Sequence, residues 1–421
     1  MDRRSFIVLA AAGIADPTQM GRVQTVQNAG PVPYNSLPDP VGDVVPGFAD
    51  WLSGVRARLL LEGWPSELLD RELTGLTADP AVVRADGRQP EFARPVSDYV
   101  RGVINDDRVR QGQAFRTSLT FLPAVEQRFG VPREILLAIW AVESGFGRIQ
   151  GDMDVLRCMA TLAAEGRRRE FAESQIKAAL QILTAGEATR ATLRGSWAGA
   201  MGQTQFIPTS YLAAAVDQDG DGRRDIWKSQ ADALGSAANL LSQGGWKRGV
   251  SWAREVSLPA GFDYGLAEGP RQIPSWWDAA GAKLADGRGW SVADQAAEAV
   301  LILPSGSTGP AYLALPNHFA IRKYNNSTAY ALAVGLLADR FSGYGGPFTP
   351  WPAETPLSLA DRSSAQDSLR KLGFDPGATD GVIGAGTRAS LRAWQKARKR
   401  PADGYLSIEV VRALAAEAAA I

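Results

Sequence analysis

Residues 135–150 read ILLAIWAVESGFGRIQ, a long apolar run that ends in one carboxylate, and this stretch decides the fold around it. Leu136, Ile139 and Trp140 lie seven, four and three residues before Glu143. In a helix these separations place all four side chains on one face. The stretch therefore predicts a helix whose apolar face carries Glu143 near its end.

The flanking residues fit the two ends of this helix. Pro132 suits a first turn, where its missing N–H has no helical partner, and Gly145 and Gly147 supply a stop. Similar periodicity predicts further helices, and the full set is 48–62, 109–128, 133–144, 171–185, 230–243 and 328–341. The turn-rich pieces 216–227 and 255–275 leave room for a few short strands, so we expect a mainly α (α+β) fold.

Two explanations account for Glu143. Burial disfavours the charged form of a carboxyl group, so the apolar neighbours are expected to raise its pKa. A carboxylic acid that keeps its proton near neutral pH can act as a general acid. Alternatively, the glutamate turns to solvent at a fraying helix end, and the pattern alone does not separate these readings.

The composition argues against several other kinds of catalytic site. Lys plus Arg equals Asp plus Glu at 45 each, so no net charge attracts nucleic acid or an anionic membrane. A single cysteine, Cys158, excludes an internal disulfide framework and a Cys-based metal cluster. A single histidine, His318, argues against Ser-His-Asp catalysis and multi-histidine metal sites. Carboxylates are the common remaining choice for acid–base chemistry.

The N-terminus predicts export. Arg3 and Arg4 precede a short apolar run at 6–15, which is typical of a secretory signal and resembles the twin-arginine type. No cysteine follows the run, so a lipid anchor is not expected there. We expect a soluble periplasmic protein, with the signal peptide and the start of a linker at 1–28.

Two stretches rich in Pro and Gly divide the rest of the chain. The first is a linker at 16–46, and the second spans 342–356. These stretches predict a main domain at 46–345, a linker at 346–356 and a small three-helix domain at 357–418.

The C-terminal domain carries a near-duplication. Asp380-Gly381 is followed by Thr387, and Asp403-Gly404 is followed by Ser407, and both hydroxyls suit helix N-caps. A compact three-helix unit without a ligand accounts for this spacing. However, the block resembles the peptidoglycan-binding domain of wall enzymes at Leu369, Leu372-Gly373-Phe374, Asp380-Gly381, Gly384, Thr387 and Trp394-Gln395.

A second informative stretch, GSWAGAMGQTQFIPTSY, spans 195–211. Its many small residues permit a ligand to approach the backbone closely. Ser196, Gln205 and Phe206 mix hydrogen-bonding groups with an aromatic face, which is the mixture that sugars favour. Close packing of helices through small residues is the alternative explanation.

An acidic loop follows at 216–232. Asp217, Asp219 and Asp221 occupy positions 1, 3 and 5 of an EF-hand pattern, but position 12, which should be a bidentate Glu, is Lys228. Asp232, four residues further on, could close a lengthened loop. We expect Ca²⁺ in a structural role, and an Asp/Gly turn without metal is the alternative.

Taken together, separated motifs resemble the membrane-bound lytic murein transglycosylase B family in matching order from about residue 46 to 345. The matching segments are RADGRQPEF at 84–92, Glu143 to Arg148, Gly195 to Gly202 with Gln205-Phe206, the Asp217 loop, and Tyr324-Asn325 with Ser327. The resemblance implies a lysozyme-like catalytic core with extra helical and small β elements.

The resemblance also implies a reaction. In that family Glu143 would protonate the oxygen between N-acetylmuramic acid and N-acetylglucosamine and then act as a base. The 6-hydroxyl of the muramic acid, rather than water, would attack the anomeric carbon and leave a 1,6-anhydro end. The sugar's own N-acetyl group would stabilise positive charge, so a second carboxylate is not required, in contrast to the usual glycosidase.

Site residues follow from the same resemblance. Substrate contacts are expected from Ser144, Ser196, Gln205, Phe206, Tyr324 and Asn325. Metal contacts are expected from Asp217, Asp219, Asp221, Arg223 through its backbone carbonyl, and Asp232. The chain departs from the family at Leu240, where a groove tyrosine is usual, and by one extra residue before Asp232.

The expected partners are peptidoglycan glycan strands and proteins of cell-wall synthesis or division, with the chain as a monomer and no nucleic acid. Two alternatives remain open. A hydrolytic muramidase would use the same acid with water as the acceptor. A non-catalytic wall-binding protein would use the C-terminal domain alone, although an intact Glu143 argues against this.

Overall fold

The computed structural model describes residues 45–87 and 92–421. The predicted export signal and most of the first linker lie outside the described residues. No helix in these two ranges has the length and apolar character that crossing a membrane requires.

The predicted α-rich character is confirmed by the elements. In chain order the helices are α1 (Phe48–Leu61), α2 (Ser66–Leu73), α3 (Pro80–Gly87), α4 (Val96–Val103), α5 (Asp106–Ser118), α6 (Leu122–Phe129), α7 (Arg133–Ser144), α8 (Val155–Glu165), α9 (Arg169–Thr184), α10 (Pro208–Ala214), α11 (Gln230–Gln243), α12 (Pro274–Ala279), α13 (Val292–Gln295), α14 (Pro316–Tyr324), α15 (Thr328–Phe341), α16 (Leu359–Lys371), α17 (Ala385–Ala397) and α18 (Ile408–Ala418). The strands are β1 (Phe92–Ala93), β2 (Met153–Asp154), β3 (Arg194–Gly195), β4 (Ala253–Ser257), β5 (Lys283–Leu284), β6 (Val300–Ile302), β7 (Ala311–Ala314) and β8 (Leu357–Ser358).

The described residues form two compact units. The first unit contains 45–87, 147–215 and 220–233, and the second contains the remaining described residues. In the first unit α8 packs on α9, and α9 packs on α10. The short antiparallel pair of β2 and β3 places Met153 opposite Gly195 and so anchors the segment that follows.

The core of the second unit forms around α7 and α15. These helices pack against each other, and both also contact α5. Trp140 of α7 and Tyr330 and Leu337 of α15 are at most 1% exposed. Burying side chains of this size is the main source of stability, since truncating one to alanine typically costs about 3–5 kcal/mol.

A small antiparallel sheet belongs to the same unit. Its strand order is β5-β4-β7-β6, with Glu255 opposite Tyr312 and Leu301 opposite Leu313. One face packs on a separate apolar cluster that includes the fully buried Trp277. The strand prediction is thus met at the start of 255–275, whereas no strand forms in 216–227.

The C-terminal domain contains the three predicted helices, α16 to α18, around a core of Leu369, Trp394 and Leu414. Ser407 caps α18 as predicted, because its hydroxyl accepts the N–H of Val410. The predicted cap at Thr387 is wrong. The helix begins two residues earlier, and the Thr387 hydroxyl lies inside the domain, where it donates to the Pro376 carbonyl oxygen at 3.2 Å.

The single helix predicted at 109–128 is also wrong, because the chain forms α5 and α6 there. Leu119 leaves the helical conformation with ψ 97°. Pro123 lies in the first turn of α6, where it has no N–H to donate and its ring opposes a continuous helix on its N-terminal side.

Candidate functional site

Glu143 lies in the last turn of α7, and the predicted apolar face is confirmed. Leu136, Ile139 and Trp140 are fully buried at 0% exposure. Glu143 itself is half-buried, so its carboxyl group is surrounded by protein and yet retains accessible surface. A ligand can therefore reach a group that bulk water does not fully hydrate.

A tight turn ends the helix, as the glycines predicted. Gly145 adopts a left-handed conformation with φ 58°, and its N–H donates to Ala141 O at 3.1 Å. The N–H of Phe146 donates to Trp140 O at 3.1 Å, which satisfies a second free carbonyl of the helix end. Phe146 is itself left-handed at φ 64°, a strained conformation for a residue with a side chain.

Aromatic packing holds Phe146 in that conformation. Its ring meets Trp140 edge-on, with centroids 5.4 Å apart and planes at 85°. Phe115 of α5 lies 5.0 Å from Trp140 and 5.1 Å from Phe146. Contacts of this geometry stabilise beyond simple area burial, so they offset the backbone strain. The turn after Glu143 is thus fixed from below.

Tyr330 completes the surroundings of Glu143, although the sequence pattern did not single it out. Its hydroxyl donates a hydrogen bond to Glu143 Oε1 at 2.6 Å, and its ring is 1% exposed. Ser327 caps α15, and its hydroxyl accepts the N–H of Tyr330 at 3.2 Å. Ser327 is the one local signal in the sequence, because a serine there suits an N-cap and so places Tyr330 in the first turn. Nothing local indicated that this turn would meet α7.

Burial raises the pKa of Glu143 to about 7, and the hydrogen bond from Tyr330 acts in the opposite direction. No carboxylate among the described residues contributes to this shift. Burial, followed by the charge of Glu143, raises the pKa of Tyr330 well above its usual range and that of Tyr99 to about 12. Both tyrosines therefore stay protonated, while Glu143 can exchange its proton near neutral pH.

Two other predicted contacts in this unit lie near Glu143. The ring of Tyr324 contacts Tyr330, whereas the hydroxyl of Ser144 bonds within its own helix. Tyr324 is half-buried and stacks on Tyr330, with centroids 6.5 Å apart and planes at 10°. Asn325 follows at the end of α14 and is 9% exposed. Ser144 is 1% exposed, and its hydroxyl donates back to Trp140 O. The substrate contact of Ser144 stays a prediction, and in this structure its hydroxyl has a partner within its own helix.

The glycine-rich segment of the first unit is built by close packing of the chain on itself. A Cβ on Gly195 would lie 2.2 Å from Ala200 O, and one on Gly202 would lie 2.8 Å from Ile226 O. No side chain fits in such space, so these two glycines are explained by packing. Of the two explanations given for the small residues, close packing is the one supported at both positions.

Ser196 and Gln205 nevertheless remain half-buried on this segment. The amide nitrogen of Gln205 donates to Gln150 O at 3.1 Å and to Gly202 O at 2.9 Å, which fixes the side chain. Gln205 is also left-handed at φ 53°. Phe206 is 1% exposed, so its ring packs inside the protein, and its contact with a sugar stays a prediction.

In the acidic loop, Asp217, Asp219, Asp221 and Asp232 each offer a carboxylate oxygen, and these oxygens lie within 4.8 Å of one another. This donor set fits a hard cation such as Ca²⁺, which prefers oxygen ligands. Asp225 at position 9 has another role, because its carboxylate accepts the N–H groups of residues 227 and 228. The N–H of Arg223 donates to Asp221, and its side chain is exposed.

The lone histidine and cysteine lie in apolar surroundings. Burial, followed by the charge of Arg322, lowers the pKa of His318 to about 3, so the ring stays neutral. Burial raises the pKa of Cys158, so it stays a thiol. Neither residue is prepared for acid–base or nucleophilic chemistry at neutral pH.

Comparison with known proteins identifies the family. The model of the family described as Transglycosylase SLT domain matches residues 47–339. This chain belongs to that family. A second family model, described as Putative peptidoglycan binding domain, matches residues 358–414.

Several relatives are similar over large parts of the chain. Membrane-bound lytic murein transglycosylase B of Escherichia coli (strain K12) is 35% identical over 244 residues, 57% of this chain, and the chain spans 66% of that protein's length. SltB3 from Pseudomonas aeruginosa in complex with NAG-anhNAM-pentapeptide is 47% identical, with a TM-score of 0.83 over 87% of this chain and 99% of that one. Escherichia coli Slt35 in complex with calcium is 28% identical, with a TM-score of 0.58 over 73% of this chain and 98% of that one. These structures confirm the predicted lysozyme-like, mainly α fold.

Glu143→Gln is expected to change how stability depends on pH. The carboxyl pKa is 4.5 in an unfolded chain and about 7 in the fold, so the fold binds more protons between these values. The free energy of unfolding therefore falls by about 3 kcal/mol as pH rises from 4.5 to above 7, and Gln removes this loss. Denaturant unfolding at pH 4.5 and pH 8 measures the difference. The same substitution at the exposed Glu170 is the control, and an equal pH response in both variants would contradict the assigned shift.

Tyr330→Phe is expected to raise the pKa of Glu143 further, because it removes a hydrogen bond that favours the carboxylate. Titration of the carboxyl carbon by NMR measures this directly. Tyr324→Phe is the control, since it removes a hydroxyl from the ring stacked on Tyr330 rather than the hydroxyl bonded to Glu143. A lower pKa in Tyr330→Phe would show that the hydroxyl does not stabilise the charged form.

Proposed function

We propose that this protein cleaves the β-1,4 bond between N-acetylmuramic acid and N-acetylglucosamine in peptidoglycan and leaves 1,6-anhydro ends. The observation that carries the proposal is the half-buried Glu143 carboxyl, with a pKa raised to about 7 and a hydrogen bond from a buried tyrosine. A group with this pKa can donate a proton and take one back at neutral pH. Membership in the transglycosylase family supports the same chemistry.

The reaction returns Glu143 to its starting state. The protonated carboxyl donates its proton to the bridging oxygen as the bond from the anomeric carbon to that oxygen breaks. The 6-hydroxyl of the muramic acid then bonds to the anomeric carbon and gives its proton to the Glu143 carboxylate. Tyr330 stabilises the carboxylate between these steps, because its hydroxyl donates to Oε1.

A single carboxyl group supports the internal acceptor over water. Two-carboxylate glycosidases place their second group about 5–5.5 Å or about 6.5–9.5 Å from the first. Burial raises the pKa of Glu143 and Tyr330 opposes the shift, and no second carboxylate of the described residues is among these causes. The related SltB3 has been crystallised with NAG-anhNAM-pentapeptide and with NAG-NAM-pentapeptide. A hydrolytic muramidase remains the second candidate.

The proposed glycan contacts are Ser196 and Gln205 in the first unit and Tyr324 and Asn325 in the second. All four keep some accessible surface, in contrast to Ser144 and Phe206. The C-terminal domain would hold the polymer, as its family match supports. We also propose action in the periplasm as a monomer, with proteins of cell-wall synthesis or division as partners.

For the acidic loop we propose a structural Ca²⁺ that does not take part in the reaction. The four clustered carboxylates support it, and so does the calcium complex of the related Slt35. The backbone carbonyl of Arg223 is a proposed further ligand. Bound Ca²⁺ would neutralise mutual repulsion among the carboxylates and fasten the loop.

Mass spectrometry of fragments released from purified peptidoglycan tests the reaction. We expect products with 1,6-anhydro ends, one water lighter than reducing ends, and activity that declines as pH rises above about 7. Glu143→Gln should lower the rate by roughly 10²–10⁴-fold or more, because it removes the transferable proton. Glu134→Gln, in the first turn of the same helix, is the matched control. Reducing ends would indicate a hydrolase, and full turnover by Glu143→Gln would contradict the mechanism.

Thermal unfolding after chelation, with and without added Ca²⁺, tests the metal proposal. A ligand at 100 times its Kd stabilises the fold by about 2.7 kcal/mol, so Ca²⁺ should raise the Tm. Asp219→Asn with Asp221→Asn should abolish this increase, because two of the four carboxylates are lost. Asp225→Asn should retain it, since the side-chain oxygen of Asn still accepts the two backbone N–H groups. A Tm insensitive to Ca²⁺ would leave the metal-free turn as the explanation.

A further inference from the structure

A second concave site lies in the second unit, apart from the residues assigned above. Its cavity measures about 500 Å³, within the range that ligand sites occupy. The lining includes Trp246, Lys247, Arg248, Arg271 and Glu298. None of the proposed glycan contacts, nor Glu143, is part of this lining.

The cavity carries an excess of positive charge. The lining contains three cationic side chains and one carboxylate, and all four of these residues are exposed. Within the described ranges, neither Lys247 nor Arg248 nor Arg271 forms an ion pair. A concave surface with an excess of one sign of charge raises the local concentration of the opposite ion.

Hydrogen bonds to the buried side chain of Asn317 hold the loop that carries Lys247 and Arg248. Asn317 is 0% exposed, and its Oδ1 accepts the N–H of Lys247 at 2.6 Å. Its amide nitrogen donates to Lys247 O at 2.9 Å and to Val250 O at 2.6 Å. Arg248 donates to the carbonyl oxygen of Gln127 at 2.7 Å. Since the loop is already ordered, a ligand would not have to supply that ordering free energy.

Arg271 is oriented by an aromatic contact. Its guanidinium carbon lies 4.5 Å from the ring centroid of Phe319. This contact restricts the side chain, and a guanidinium group carries five N–H donors in its plane for an acceptor. Planar guanidinium edges match carboxylates in two parallel hydrogen bonds.

We propose that this cavity binds the C-terminal carboxylate of the peptides attached to peptidoglycan, an inference that rests on the proposed function. Where a peptide is attached, the muramic acid carboxyl is consumed in an amide bond, so the acidic groups of that part of the polymer lie on its peptides. The related SltB3 was crystallised with a pentapeptide on its sugar, and a pentapeptide ends in a carboxylate. The site would therefore read the peptide while Glu143 acts on the glycan.

Calorimetric titration of the full chain with a muramyl pentapeptide, and with its C-terminal amide, tests the proposal without requiring turnover. We expect the acid to bind about tenfold more tightly than the amide, as a charge-assisted hydrogen bond provides. Lys247→Gln with Arg271→Gln should abolish the difference. Arg110→Gln, an exposed arginine of α5, is the control and should preserve it. Equal binding of acid and amide by the unaltered chain would overturn the proposal.

Steady-state kinetics distinguish binding of the peptide carboxylate from binding of the muramic acid carboxylate. Glycan freed of its peptides regains the muramic acid carboxyl, so it is the matched substrate. The double variant should raise KM about tenfold on peptide-bearing glycan with kcat unchanged, and change neither constant on peptide-free glycan. An equal rise on both substrates would overturn the assignment to the peptide. If the proposed function itself is wrong, the unaltered chain releases no product from either substrate.

Discussion

The packing of α7 against α15 is the constraint on which the candidate site depends. It withdraws the apolar face of α7 from water, and Glu143 at the end of that face loses much of its hydration. The same packing brings Tyr330 within 2.6 Å of the carboxyl group. Burial without the tyrosine would raise the pKa further, and the tyrosine without burial would lower it. Their opposition leaves the pKa near 7, where one group can serve as acid and then as base.

The turn after Glu143 shows why this arrangement needs support from outside α7. Phe146 adopts a left-handed conformation that costs of order 1–3 kcal/mol for a residue with a side chain. Trp140 and Phe115 hold its ring, and these residues belong to α7 and α5. The strain is thus balanced by the same core that buries the face of α7 on which Glu143 lies. A substitution that leaves a cavity in that core would weaken the packing that holds both this turn and Glu143.

Local periodicity was enough to predict α7 and the position of its acid, because spacing along one helix determines which side chains share a face. It could not predict Tyr330, whose contact with Glu143 joins residues 187 positions apart. The error at 109–128 was avoidable, since Pro123 was present in the sequence as a break signal. The error at Thr387 was not, because a hydroxyl near a helix start can cap the helix or bond elsewhere, and only the packed domain decides.

The motif residues show a further limit of sequence reasoning. Ser144 and Phe206 lie beside Glu143 and Gln205 in the chain, and a motif gives all four the same weight. The structure separates them by direction, since two side chains enter the core and two keep accessible surface. The glycines of 195–202 show the same limit. The space that a glycine leaves free can be filled by a ligand or by the protein's own backbone, and the sequence does not distinguish the two. At Gly195 and Gly202 the backbone occupies the space.

A net charge of zero does not exclude local clusters of like charge. It removes long-range attraction to anionic polymers, but charge acts over only about 8 Å at physiological ionic strength. Four carboxylates of the loop at 217–232 have oxygens within 4.8 Å of one another, and three cations line the cavity of Lys247. Each cluster is costly by itself, because like charges repel, and a bound partner of opposite sign would relieve that repulsion. Clusters of this kind cancel in any sum over the whole chain, so the net charge does not report them.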